Sequence, residues 1–69
     1  MRPLSGRELA RIVERQGWRL LRINGSHHIY GKDGERVRLT IPIHGAAPLK
    51  AGLLRHLVKS AGLSDEDLA

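Results

Sequence analysis

One pair of residues, Asn24-Gly25, constrains the fold of this chain more than any other feature. Both residue types tolerate positive φ, and such a pair between two strand-like stretches is typical of a tight β-hairpin. "WRLLRI" predicts the strand before the turn, and "SHHIY" predicts the strand that returns. The alternating stretch "RVRLTI" predicts a third strand. Its apolar residues are expected on one face and its polar residues on the other: Val37, Leu39 and Ile41 against Arg36, Arg38 and Thr40.

A helix is predicted before the strands. In "LSGRELARIVERQG", Ser5 and Glu8 have the spacing of a capping box, and Gly17 stands where a left-handed residue closes a helix. The residues Leu9, Ile12 and Val13 repeat at helical spacing and form an apolar stripe.

A second helix is predicted after them. "PLKAGLLRHLVKSAG" repeats apolar residues at helical spacing, with Pro48 as the first helical residue and Gly62 as the cap. A short final turn follows, capped by Ser64. Because each long helix has one apolar stripe, both are expected to pack on the same face of the sheet. The sequence thus predicts an α+β fold of order α-β-β-β-α, with a three-stranded antiparallel sheet and a single domain over residues 1–69.

Charge narrows the class of partner. Twelve Lys and Arg against seven Asp and Glu give a net charge of +5. A basic domain is attracted to polyanions, of which nucleic acid is the commonest, although charge also serves solubility alone. Arg7, Arg11 and Arg15 recur every four residues along the first helix. This stripe is either a solvated face, a phosphate contact or a docking surface for an acidic partner.

Several classes of protein are excluded or disfavoured by composition. The chain has no cysteine, so disulfides and thiolate zinc sites are excluded. No stretch resembles a signal peptide or a membrane span, and we expect a cytoplasmic protein without membrane association. The only aromatic residues are Trp18 and Tyr30, which disfavours a base-stacking platform and favours recognition of backbone phosphate and shape.

The candidates for chemistry are His27 and His28. Neighbouring strand residues point to opposite faces, so the pair shares one site only if a bulge re-aims one ring. Zinc needs three or four converging ligands, and His44 and His56 lie far along the chain, so neither a metal nor another cofactor is expected. Ser26 beside His27 lacks the third member of a nucleophilic triad.

One histidine acting as general acid or base among arginines remains. This arrangement suits RNA cleavage without metal, because a base accepts the 2′-hydroxyl proton and cations stabilise the phosphorane. Two alternatives stay open. One is a non-catalytic basic RNA-binding module with structural histidines, and the other is a protein-interaction domain that docks an acidic partner.

The chain resembles the HicA family of toxins, which are small RNA-cleaving proteins of toxin–antitoxin pairs. The segments that carry the resemblance are "SGRELARIVERQGWRLLRINGSHHIY", "VRLTIPIH" and "LKAGLLRHLVKSAGLSDEDL". The resemblance implies a fold like the double-stranded-RNA-binding domain and ribosome-independent cleavage of mRNA, as an mRNA interferase. It also implies a HicB antitoxin as partner, in a type II system, and no DNA binding by the toxin alone. A histidine of the Gly-Ser-His segment is the family's catalytic residue, and that role falls on His27.

The choice between the two histidines stays open on strand geometry. If Ile29 faces the core, alternation sends His27 inward and places His28 beside the third strand's arginines, which favours His28 where the resemblance favours His27. We expect the RNA to contact Gly25, Ser26, Arg36, Arg38 and Lys50. Lys50 is included because it lies near the start of the second helix, where backbone amides favour anions.

Overall fold

The structure, a computed structural model, describes residues 1–69 and has the predicted order of elements, followed by a short third helix. The three strands form one antiparallel sheet in the order β1-β2-β3. The elements are α1 (Gly6–Arg15), β1 (Arg19–Asn24), β2 (His27–Gly31), β3 (Leu39–Pro42), α2 (Ala51–Ala61) and α3 (Asp65–Leu68). The predicted α+β fold is confirmed.

The first helix begins where its sequence predicts. The Ser5 hydroxyl accepts a hydrogen bond from the Glu8 amide (3.1 Å), and the Glu8 carboxylate accepts one from the Ser5 amide (2.9 Å). The bond from the Ser5 amide holds the pKa of Glu8 below its ordinary value. Gly17, with φ 97°, lies two residues beyond the end of the helix. The capping box and the terminating glycine are therefore confirmed.

The first hairpin is present, but its turn is shifted by one residue. Asn24 pairs with His27 as the last pair of the ladder, so Gly25 and Ser26 are the two turn residues. Only Gly25 needs positive φ (62°), as in two-residue turns that have glycine first. The shift is small, and it leaves a tip of two small residues.

The third strand is shorter than predicted. It begins at Leu39 rather than Arg36, and Val37 is 46% exposed although it was expected on the core face. The physical reason is the length of the neighbouring strand. Because β2 ends at Gly31 and Tyr30 already pairs with Leu39, earlier residues of the predicted strand have little strand opposite them.

The second helix begins later than predicted. Pro48 is not helical; it forms an isolated antiparallel bridge with Ser5, next to a hydrogen bond from the Leu49 amide to the Leu4 carbonyl (2.8 Å). Lys50 is the N-terminal cap and makes no side-chain capping bond. Gly62 (φ 68°) ends the helix as predicted.

The core lies between the two long helices and one face of the sheet. Leu39 and Ile41 are fully buried, whereas Thr40 between them is exposed, so β3 has one covered and one open face. Both long helices contact β3, and their apolar stripes join the same buried cluster, as predicted. The twelve members are Leu4, Leu9, Ala10, Ile12, Val13, Trp18, Tyr30, Leu39, Ile41, Leu54, Leu57 and Leu68. We call the uncovered side the open face of the sheet.

None of the helices has the length and apolar character needed to cross a membrane.

Candidate active site

The two candidate histidines lie on opposite faces of β2. Directly opposed residues of an antiparallel pair share a face. His28 pairs with the buried Ile41 and therefore faces the helices, while His27 pairs with Pro42 and lies on the open face. His27 is exposed and His28 is partly buried.

The condition under which His27 would turn inward, Ile29 facing the core, is not met. Ile29 pairs with the exposed Thr40, and the core position belongs to Tyr30, which is 2% exposed. The reason is a partner on α1: the Tyr30 hydroxyl donates to the Glu14 carboxylate at 2.7 Å. This bond allows a polar aromatic side chain to occupy the core side of β2.

No bulge realigns the histidines. The register shift of the first hairpin lies in β1, between Leu20 and Arg22, away from the turn. The residues from Asn24 to His28 alternate without interruption, so the two imidazoles serve different surfaces.

On the open face, the cation near His27 is Arg22. Arg22 pairs with Ile29, two residues beyond His27, and so lies diagonally across from it on the same face. Such diagonal neighbours are about 7–8 Å apart, within reach of a long side chain. Sequence reasoning missed Arg22, because the bulge in β1 hides which of its residues share a face.

Arg36 and Arg38 lie at the other end of the sheet. Arg38 precedes the final pair of β2 and β3, and its guanidinium donates to the Glu35 carbonyl (3.4 Å). It flanks Gly31, which is four residues, or roughly 13 Å, along β2 from His27. The structure therefore does not place them beside either histidine, contrary to the sequence-based expectation.

On the helix side, His28 lines a groove of about 480 Å³ between α1 and the first hairpin. Arg7 and Arg11 border this groove from α1, and Gly25 and Ser26 border it from the turn. The other residues around it are Ala10, Glu14, Leu20, Tyr30, Ile43 and Gly45. We call this space the α1 groove.

The family of this chain follows from a comparison of its sequence with models of known families. A family model described as the HicA toxin of bacterial toxin–antitoxin systems matches residues 6–63, most of the 69-residue chain. The chain belongs to the HicA toxin family. A comparison with curated proteins finds no match. The match spans α1, the sheet and α2, and it includes both histidines.

In this HicA family member a third histidine reaches the hairpin tip. His44 follows β3, and its Nε2 atom lies 3.5 Å from the Ser26 hydroxyl. The Ile43 amide donates to the Ser26 carbonyl (2.8 Å) and fixes this approach. Sequence reasoning set His44 aside because of its distance along the chain. The available signal was its position two residues after Pro42, the last residue of β3.

The three neighbouring histidines do not form a ligand set. No group of three or more His, Cys, Asp or Glu side chains is arranged to hold a metal ion. His27 points to the open face, His28 to the α1 groove, and His44 approaches Ser26 from the loop after β3.

Tyr30 is a further titratable group of the α1 groove. Burial, and then the hydrogen bond to Glu14, raises the pKa of its phenol well above the ordinary value of 10.0. The phenol is therefore protonated at neutral pH and keeps Glu14 in place. Its role in the site is structural.

Lys50 stands apart from the hairpin. As the N-cap of α2 it is exposed. It does not border the α1 groove, and it forms no hydrogen bond with the hairpin residues. Of the expected RNA contacts, the structure brings Gly25 and Ser26 next to the histidines and leaves Lys50, Arg36 and Arg38 elsewhere.

Proposed function

We propose that this HicA family member is a toxin that cleaves mRNA without a metal ion, with His27 as the general acid and base. The observation that carries the proposal is an exposed imidazole at a narrow hairpin tip in a chain of this family. A net charge of +5 supports an anionic substrate. The proposed place of action is the cytoplasm, where mRNA is found.

His27 is favoured over His28 by accessibility. The His27 ring is exposed and takes part in no hydrogen bond of the chain, so both of its nitrogens are free for proton exchange. His28 is partly enclosed by the α1 groove. Resemblance to the family points in the same direction, since His27 is the histidine of the Gly-Ser-His segment.

The proposed reaction needs one base, one acid and a cation. The neutral His27 imidazole accepts the proton of a ribose 2′-hydroxyl, and the 2′-oxygen attacks the adjacent phosphorus. The bond from phosphorus to the 5′-oxygen breaks, and this oxygen accepts the proton from the His27 imidazolium. The products are a 2′,3′-cyclic phosphate and a 5′-hydroxyl. We propose Arg22, which lies diagonally across from His27 on the open face, as the cation that stabilises the charge of the phosphorane.

We further propose a HicB-type antitoxin as the protein partner. Membership of a toxin–antitoxin family supports a paired antitoxin. A partner that covers the open face around His27 would block access of the ribose to the base.

Growth arrest on expression tests the proposal. Wild-type protein is expected to arrest growth, and His27→Ala is expected to abolish the arrest, because loss of a general acid or base lowers the rate by about 10²–10⁴-fold. His56→Ala, which changes an exposed histidine of α2 away from the hairpin, is the matched control and should retain full toxicity. His28→Ala should lose less toxicity than His27→Ala. Circular dichroism of all three purified variants checks that they fold.

The same experiment separates the proposal from a non-catalytic RNA-binding module. A folded His27→Ala protein that remains fully toxic would remove His27 from the mechanism. If only His28→Ala loses toxicity, the acid and base role moves to the groove side of the hairpin. Salt-sensitive retention of RNA without products identifies a binder.

A further inference from the structure

We propose that the α1 groove is a second RNA subsite, in which Arg7 and Arg11 hold a backbone phosphate of the strand that His27 cleaves. This inference rests on the proposed function and adds a positioning site on the opposite side of the hairpin. Three observations support it: the groove itself, two guanidinium groups that form no ion pair, and the position of the hairpin tip between the groove and His27.

The two arginines are available to bind an anion. Both are exposed and both border the groove, one helical turn apart on α1. The structure has one ion pair, between Arg19 and Asp33, so neither Arg7 nor Arg11 is bound to a carboxylate, although the charge of Arg11 contributes to the lowered pKa of Glu8. Guanidinium groups match phosphate oxygens in geometry as well as in charge.

The loop after β3 adds donors at the same end of the groove. Gly45 borders the α1 groove and also a neighbouring depression of about 340 Å³, and Arg7 and Arg11 border both. Glu8 also borders this depression, and its carboxylate accepts a hydrogen bond from the Ser5 amide. The backbone amides of Gly45 and Ala46 donate to no acceptor within the chain. Cationic side chains and free amides are the groups that commonly contact nucleic-acid phosphates.

The groove has a defined polarity. Glu14 is the one acidic residue that borders it, and the Tyr30 hydroxyl holds its carboxylate at the far end. Arg7 lies seven residues from Glu14 on the helix, about 10 Å along the axis. A phosphate is therefore attracted to the Arg7 end and repelled from the Glu14 end.

The groove also has room for one nucleotide. Pockets that bind small ligands typically measure about 300–1,000 Å³, and the α1 groove measures about 480 Å³. Leu20 and Ile43 form an apolar wall of the groove, and the flat imidazole ring of His28 borders the same groove. A base next to this wall is compatible with a phosphate on the arginines.

The position of the hairpin favours RNA over an acidic protein as the occupant. His27 and His28 are adjacent, with Cα atoms about 3.8 Å apart, and they face opposite sides of the hairpin. The tip between the two sides has only the small residues Gly25 and Ser26, and a Cβ added at Gly25 meets no atom within 4 Å. One strand can therefore cross the tip, with a ribose at His27 and a nearby phosphate in the groove.

Salt-dependent binding of an uncleavable RNA tests this assignment. A short 2′-O-methyl RNA with a fluorescent label cannot undergo attack by its 2′-oxygen, so wild-type protein can be measured by anisotropy over a range of salt concentrations. Arg7→Ala and Arg11→Ala are each expected to weaken binding several-fold. Each should also reduce the slope of log affinity against log salt by about 0.7, the value for one phosphate contact on single strands.

Arg15→Ala is the matched control. Arg15 is exposed on the same helix and has the same charge, but it borders neither the groove nor the neighbouring depression. It should leave the slope at the wild-type value. All three variants are expected to fold, because alanine is the best helix former and the side chains removed are exposed.

The outcomes distinguish this inference from the proposed function. If Arg7→Ala and Arg11→Ala keep the wild-type slope, or if Arg15→Ala loses as much, the subsite is overturned while cleavage at His27 stands. In that case the arginines are either a solvated helix face or a docking surface for an acidic protein. If wild-type protein binds through Arg7 and Arg11 but never cleaves unmodified RNA, the subsite stands and the proposed nuclease function fails.

Discussion

At the scale of single residues, Gly6 fixes how α1 meets the sheet. A Cβ built on Gly6 would lie within overlap distance of the Pro42 carbonyl oxygen, at the end of β3. The backbone atoms of Pro42 cannot make room for a Cβ atom unless the helix or the strand moves. Glycine is thus required at Gly6 by close approach, since its backbone is ordinary helix.

We predict opposite effects for two glycine-to-alanine changes. Gly6→Ala should lower the free energy of unfolding by about 1–3 kcal/mol through overpacking. Gly52→Ala should raise it by roughly 0.5–1 kcal/mol, because Gly52 lies in α2 with open space around its Cβ position. Urea unfolding measures both. Equal effects of the two changes would contradict the close contact at Gly6.

Tyr30 gives a second prediction at this scale. It is the sole tyrosine, so tyrosinate absorbance reports its ionisation directly. Because burial and Glu14 raise its pKa in the folded state, the folded protein should form tyrosinate only well above pH 10, whereas urea-unfolded protein should titrate near pH 10.

The sign of the linked stability follows from that shift. A pKa that is raised on folding contributes stability fully present below pH 10, and this contribution is lost as the pH rises through the folded value. Tyr30→Phe lacks the contribution, so its stability difference from wild type should shrink in strong alkali. Coincident tyrosinate titrations of folded and unfolded protein would contradict the account.

At the scale of elements, the features that depend on local contacts follow from the sequence. The capping box of α1 joins residues three apart, and the glycine after α2 acts through its own φ. No distant residue takes part in either. Their positions were therefore predictable from the pattern alone.

Features that depend on a distant partner did not follow from the sequence. Ile29 and Tyr30 are both compatible with a buried strand position, and the choice is made by Glu14 on another element. The start of β3 is set by where β2 ends. β1 contains three large apolar residues, yet all six of its residues are exposed, because the two long helices pack against β3 at the other edge of the sheet.

Two capping serines allow a prediction about helix stability. Ser5→Ala should cost about 1 kcal/mol, since it leaves the Glu8 amide without its partner at the start of a helix that contributes four residues to the core. Ser64→Ala removes the same type of cap from the four-residue α3 and should cost less than half as much. Fluorescence of the sole tryptophan, the buried Trp18, follows unfolding in both. Equal losses in the free energy of unfolding for the two variants would contradict this prediction.

At the scale of the whole molecule, one core supports the two surfaces for which we propose functions. The radius of gyration is 10.9 Å, against about 11 Å expected for a compact domain of this length, which supports our proposal that residues 1–69 form a single domain. The core holds β2 between α1 and the open side. In consequence the first hairpin presents His27 to one side and His28 to the other.

The candidate site was predictable only in part, because several of its residues meet only through the fold. The sequence indicates the segment from Gly25 to His28, because turn signals and the histidines are adjacent in it. It does not indicate Arg22 or His44, whose proximity depends on the bulge in β1 and on the loop after β3. It indicates Arg7 as a possible phosphate contact, but the proximity of Arg7 to the hairpin depends on the packing of α1.

The most direct test of the central claim is cleavage of end-labelled RNA by purified protein in the presence of a metal chelator. We predict that wild-type protein yields products with 2′,3′-cyclic phosphate and 5′-hydroxyl ends, and that folded His27→Ala is about 10²–10⁴-fold slower. Cleavage by His27→Ala at the wild-type rate, or wild-type cleavage only after metal is restored, would contradict the claim that the exposed imidazole of His27 performs the proton transfers.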